Sequence, residues 1–153
     1  MVKIFEVENQ LDKLNWFSME DNWTNSYPLI KHIGQSIGAT HWAGWGKMGA
    51  PWSSTEMIGG SGTYMLKTPN EHVMLDASTE YSKGKLSHIG LSQISAENRS
   101  SGIGTKIMNA IKQYVDAKGV GVVVYKVTNK PFFDRFNWLT PDEYKDNYYY
   151  NIS

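Results

Sequence analysis

The run from Lys85 to Thr128 constrains this chain most. "KLSHIGLSQIS" reads as a strand. The helix after it is marked by Ile103, Ile107, Ile111, Tyr114 and Val115, which recur at three- and four-residue steps and form one apolar stripe. Gly119 ends that helix, with Lys118 in its last turn. "GVGVVVYKVT" follows. Its continuous β-branched run suits a strand covered on both faces, as parallel sheet strands are. Strand, helix, strand in that order predicts a right-handed crossover unit.

The elements before it predict the rest of the sheet. "TYMLKT", "HVMLDASTEY" and "KLSHIGLSQIS" read as three strands separated by the turns "TPNE" and "SKGK". Turns this short predict an antiparallel meander. "KIFEVE" alternates like a strand. "NQLDKLNWFSME" reads as a helix capped at Asn9, with Leu11, Leu14, Phe17 and Met19 turned inward. A second helix, "SYPLIKHIGQSIGA", has Pro28 in its first turn, Leu29, Ile30, Ile33 and Ile37 on one face, and Gly38 as its stop. Residues 40–62 are punctuated by glycine and proline and read as one long irregular loop. Trp42, Trp45 and Trp52 in it read either as cover for the core or as a wall for a bound acceptor. After the crossover, "NKPFFDRFNWLTPDEY" opens with a short helix or turn and "NYYYNIS" is a last strand. The expected fold is α/β in one domain over residues 1–153, with a mixed central sheet, two N-terminal helices and the crossover helix against one face.

Composition excludes several function classes. The chain has 153 residues, is 41% apolar and 20% charged, and has zero formal net charge. No long-range field favours nucleic acid or an anionic membrane surface. No apolar run approaches the roughly 18 residues of a membrane span. There is no cysteine, which excludes disulfides and thiolate chemistry. The start has no apolar signal-peptide core, so a cytoplasmic location is the expectation. His32, His41 and His72 lack the spacing of a metal-binding helix, so no metal is expected. "GGSGT" fails the G-x-S-x-G nucleophile pattern.

Chemistry concentrates where the crossover helix begins, in "ENRSSGIGTK". The first turn of a helix presents unpaired N–H groups and the positive end of the dipole. Gly102 and Gly104 let an anion's oxygens approach, Arg99 adds a cation, and Ser100, Ser101 and Thr105 offer hydroxyls. The cradle is of diphosphate size. It is not a P-loop, which needs G-x-x-x-x-G-K followed by Ser or Thr. It is not a dinucleotide fingerprint either, because Ile107 stands where the third glycine belongs.

Arg99-x-x-Gly102-x-Gly104, set between a strand and a helix, resembles the core of the GNAT superfamily of N-acetyltransferases. The resemblance runs from Leu86 to Trp138. Ile94 matches the family's aliphatic strand-end position, Gly102, Ile103 and Gly104 its pyrophosphate turn, and Asn129 an asparagine after the next strand. "FFDRFNW" resembles the family's aromatic-Tyr-x-Lys-x-Gly-Phe ending, with Phe133 at the tyrosine position, and Ser100 stands where the family often has glycine. The resemblance implies a GNAT-like fold in which two parallel strands splay apart. The pantetheine arm of acetyl-coenzyme A would pair with Ser92, Gln93 and Ile94. Its diphosphate would lie on Arg99, Ser100, Ser101, Gly102, Ile103, Gly104 and Thr105, with Asn129 in support.

The implied activity is transfer of an acetyl group from acetyl-CoA to an amine acceptor by direct attack on the thioester. For the base, His88 is the first choice, since it shares a strand face with Gly90 and Ser92 and histidine is the side chain suited to proton transfer near neutral pH. Glu80 and Asp76 are alternatives on the preceding strand. Each also reads as an ordinary sheet or surface residue. Phe133 has no proton to give, so the acid lies among Tyr125, Tyr144, Tyr148, Tyr149 and Tyr150, or none is used. The alternative function is a non-catalytic module on the same fold that binds coenzyme A or a protein partner. Relatives often pair, so a homodimer is also implied.

Overall fold

The computed structural model describes residues 14–20, 27–45, 61–98, 101–142 and 144–152, with backbone only at 27, 45 and 61. In chain order the elements are β1 (Phe17–Ser18), α1 (Tyr27–Ile37), β2 (His41–Trp45), β3 (Ser61–Lys67), β4 (His72–Ser82), β5 (Lys85–Ala96), α2 (Ile103–Lys118), β6 (Gly121–Val124), α3 (Lys130–Asp134), β7 (Thr140–Pro141) and β8 (Tyr148–Tyr150). Among the described residues the strands form one eight-stranded sheet in the order β1-β2-β3-β4-β5-β6-β8-β7. Among these strands only β5 and β6 pair in parallel, and α2 connects them. The sheet is therefore mixed and the fold α/β.

The meander β2 to β5 is antiparallel throughout, as its short turns require. Gly121 to Val124 are all buried, which accounts for the uninterrupted β-branched run of β6. The stripe of α2 buries Ile103, Ile107, Met108, Ala110, Ile111 and Val115. They meet Leu29, Ile30 and Ile33 of α1 and the face of the sheet carrying Leu66, Leu75, Ile89, Leu91, Val122 and Val124. Each fully buried aliphatic side chain here contributes about 1.5–3 kcal/mol over leaving it in water. A small second cluster of Leu14, Ala43, Met65 and Met74 lies apart from this core, with Trp16 packed against it. Helix α2 ends in a left-handed Gly119 (φ 69°), and Val120 N–H donates to Val115 O at 3.0 Å, a Schellman-type stop.

Two expectations need correction, and a third point is decided. Residues 14–20 are not helical: Phe17 and Ser18 pair antiparallel with Trp42 and His41. The ring of Phe17 packs 5.5 Å from that of Trp42, and this tertiary contact outweighs a weak local helical pattern. Among the described residues α1 is the one helix before β2; residues 9–13 of the other expected helix lie outside them. The stretch 40–62 is not wholly irregular either, because His41–Trp45 forms β2, paired with β3 along its whole length. Trp42 is fully buried against Phe17 and Tyr64, so it belongs to the core and walls no acceptor site. The expected strand "KIFEVE", the side chain of Trp45, and Trp52 lie outside the described residues.

Candidate functional site

The site begins where β5 and β6 part. His88, Ile89, Gly90 and Leu91 face Gly121, Val122, Val123 and Val124 in register. Tyr125 N–H then donates to Leu91 O at 2.8 Å, and the pairing stops. Beyond this point Lys126 takes a positive φ of 51° and its N–H turns to Asn147 Oδ1 at 3.0 Å. Val127 N–H donates to Asp146 O at 2.7 Å, so the chain after β6 is held by the segment before β8. Strand β5 instead runs on to Ala96, paired with β4 alone.

A bulge marks the same place on the other side of β5. Ala77 faces Leu91 and Asp76 faces Gln93, which leaves Ser92 as the extra residue. A bulge bends its strand and sharpens its twist, which carries β5 away from β6. Ser92, Gln93 and Ile94 thus line a gap with no strand partner on the β6 side. Gln93 Nε2 donates to Ser95 Oγ at 2.7 Å, while its Oε1 is buried and meets no donor among the described residues. Buried acceptors are rarely left so.

The crossover helix opens toward solvent beyond this gap. Gly102 is its N-cap, in the left-handed region at φ 77°, and has no side chain to cap the helix, while Ser101 Oγ accepts the N–H of Ile103 at 3.4 Å. Only glycine takes that turn without strain, and a Cβ built there meets nothing within 4 Å. Ser101 and Gly102 are exposed, and Ile103 is buried. Gly104 has a different reason to be glycine. A Cβ there would lie 3.1 and 3.2 Å from two ring atoms of Phe132 on α3. Close packing between the two helices therefore fixes Gly104, whatever its N–H binds. Arg99 and Ser100 lie outside the described residues.

One cation at this helix end was missed by the sequence reading. Arg135 Nη2 donates to Thr105 Oγ1 at 3.3 Å, and the guanidinium lies 5.8 Å from the centroid of the Phe132 ring. Its place in "FFDRFNW" marked it only as part of a motif; nothing local ties it to Thr105. Asn129 is exposed and stands at the N-cap of α3 without a side-chain cap bond.

The titratable groups gather on the sheet face opposite α2. His88 Nε2 lies 3.3 Å from Tyr125 Oη, and His88 Nδ1 lies 3.1 Å from Ser87 Oγ. Glu80 is the direct cross-strand partner of His88, and Ser78 Oγ donates to Glu80 Oε1 at 2.7 Å. Gly90 explains how Tyr125 gets there. A Cβ on it would fall 2.6 Å from Ser78 Oγ and 3.0 Å from the Tyr125 ring, so the bare strand lets that ring lie across it. Burial pushes the Tyr125 phenol up, and the nearby charges of Glu80 and Tyr149 add to the rise. Tyr125 therefore keeps its proton at neutral pH. Burial also raises the Asp76 carboxyl, further along β4 on the same face.

The other candidate acids are placed differently. Tyr144 is 91% exposed. The Tyr148 hydroxyl donates to Asp134, that of Tyr149 to Asp142 and that of Tyr150 to Asp116. Phe133 is buried against Phe132 and Tyr148. Of these tyrosines, Tyr125 is the one whose hydroxyl meets His88. No group of three or more metal-ligating side chains occurs among the described residues, and no helix there is long and apolar enough to cross a membrane.

Compared with family models, with curated proteins and with solved structures, the chain matches none. The functional reading therefore rests on the residues and their geometry.

Proposed function

We propose that this protein is an acetyl-CoA-dependent N-acetyltransferase with a GNAT-like site. One observation carries the reading: β5 and β6 part after Leu91 and Val124, and the Tyr125 side chain next to that point lies back over Gly90 to meet His88. Main-chain groups of Ser92 to Ile94 would pair with the amides of the pantetheine arm, much as with an added strand. The open end of α2, with Thr105 and Arg135, would take the diphosphate.

The chemistry follows from the contact between the two side chains. The acceptor nitrogen forms a bond to the thioester carbonyl carbon, and the carbon–sulfur bond breaks. His88 takes the proton released by the amine. Tyr125 gives its proton to the departing thiolate and regains one from His88 across the 3.3 Å between them. The products are an amide and a free thiol, and both side chains return to their starting states. Glu80, held by Ser78, is the cross-strand partner of His88 and lies beside the pair. General acid and base groups so placed contribute about 10²–10⁴-fold each. Holding the thioester beside the amine supplies further effective concentration.

The test is direct. The protein is mixed with acetyl-CoA and a panel of primary amines, and free thiol release is followed. Turnover on at least one amine supports the proposal. Coenzyme binding without turnover on any amine would instead favour a non-catalytic module.

A further inference from the structure

A chain of hydrogen bonds connects the turn between β3 and β4 to the open end of α2. It starts at Thr68 and Glu71, both buried. Thr68 Oγ1 donates to Glu71 O at 2.8 Å and accepts from Glu71 N–H at 3.0 Å. The Glu71 carboxylate accepts the N–H of Asn98 at 3.1 Å. Asn98 O accepts from the N–H and the hydroxyl of Ser101, at 3.3 and 2.9 Å. Ser101 Oγ then accepts the N–H of Ile103 at 3.4 Å. One turn later Lys106 N–H donates to Gly102 O at 3.3 Å and the helix is under way. Alongside, Glu97 accepts from His72 N–H and lies 2.8 Å from His72 Nδ1.

Glutamate is almost never buried unless its charge is paired or bonded. The partner shown for Glu71 is a main-chain N–H in the segment that sets the direction of α2. Such a bond fixes a position more than it stores stability, because a carboxylate must be stripped of water to make it.

We infer that Glu71 is a positioning residue for coenzyme binding: through Asn98 and Ser101 it holds the first amides of α2 where the diphosphate must meet them. The inference rests on the acetyltransferase reading, because that reading says what those amides bind. A buried carboxylate far from His88 and Tyr125 would then govern affinity for the coenzyme and leave the chemical step alone.

The experiment compares Glu71→Ala, Glu71→Gln and Ser101→Ala with wild type. Glutamine keeps an acceptor oxygen for Asn98 N–H. Amide hydrogen exchange at Ser101 to Thr105 is measured without ligand, and KM for acetyl-CoA and kcat are measured with an accepted amine. Glu71→Ala is expected to speed exchange at these amides and to raise KM by roughly tenfold, the size of one lost bond to a charged group, with kcat little changed. Glu71→Gln is expected to restore most of both. Ser101→Ala, at an exposed position, cuts the last link and is expected to speed the same exchange should Glu71→Ala fail to fold. Unchanged exchange at these amides in the folded Glu71→Ala protein, or in Ser101→Ala where Glu71→Ala does not fold, overturns the inference. Faster exchange in variants of a protein that binds no acetyl-CoA supports the hydrogen-bond chain and overturns the acetyltransferase reading instead.

Discussion

His88 Nε2 and Tyr125 Oη lie 3.3 Å apart although 37 residues separate them in sequence. The crossover helix makes the meeting possible. It returns the chain so that β6 lies beside β5 in parallel for four residue pairs, and Tyr125 follows directly after the last of them. Gly90, between the two side chains on β5, leaves the Tyr125 ring room to cross.

The pair is expected to act as a unit. His88→Ala and Tyr125→Phe should each lower kcat by about 10²–10⁴-fold, with acetyl-CoA affinity nearly unchanged. The double variant should be little worse than either single one, since a relay fails at its first break. Steady-state kinetics with a coenzyme titration checks this. A pH–rate profile for His88→Ala that matches wild type would remove His88 from the chemistry.

Gly90→Ala tests the geometry. The added methyl would sit 2.6 Å from Ser78 Oγ and 3.0 Å from the Tyr125 ring. The serine hydroxyl can rotate away, but the ring must shift. We expect kcat to fall roughly ten- to a hundredfold through misplacement of the phenol, in a folded protein. Circular dichroism beside the rate measurement separates this from unfolding.

Arg135 should read the coenzyme's charge. It is exposed, so its replacement should leave the fold intact. Arg135→Glu is expected to weaken acetyl-CoA binding by about tenfold or more, and Arg135→Gln by less. Wild-type affinity should also fall as salt is raised. Isothermal calorimetry at two salt concentrations checks both.

Alkaline stability should report Tyr148. Its bond to Asp134, then burial, pushes the phenol from 10.0 up to about 12. The folded state thus holds this proton more tightly than the unfolded chain. The resulting stability is fully present below pH 10 and is lost as pH rises from 10 toward 12. Chemical denaturation across that range should show the loss in wild type. Tyr148→Phe should flatten it, at a cost of about 1 kcal/mol at neutral pH.

Much of this architecture was legible in the chain. The stripe of α2, its stop at Gly119, the meander and the buried run of β6 follow from periodicity and turn residues, which are local signals. His88 and its place beside Gly90 were legible for the same reason: alternation along a strand assigns faces. Misreadings arose where distant partners decide. Residues 17 and 18 join the sheet because β2 is there to receive them, and β2 was hidden among glycines. Arg135 reaches Thr105 and Tyr125 reaches His88 only after the crossover closes. Gly104 was read as clearance for an anion, while its close neighbour is Phe132, a contact set by how α3 packs on α2.

The gap between β5 and β6 is the centre of the account, and backbone amide resonances measure it most directly. On titration with coenzyme A, the account predicts saturable shifts at Ser92 to Ile94 and at Ser101 to Thr105, with β3 unmoved. Absence of saturable shifts at both segments, at millimolar coenzyme in a folded protein, would contradict it.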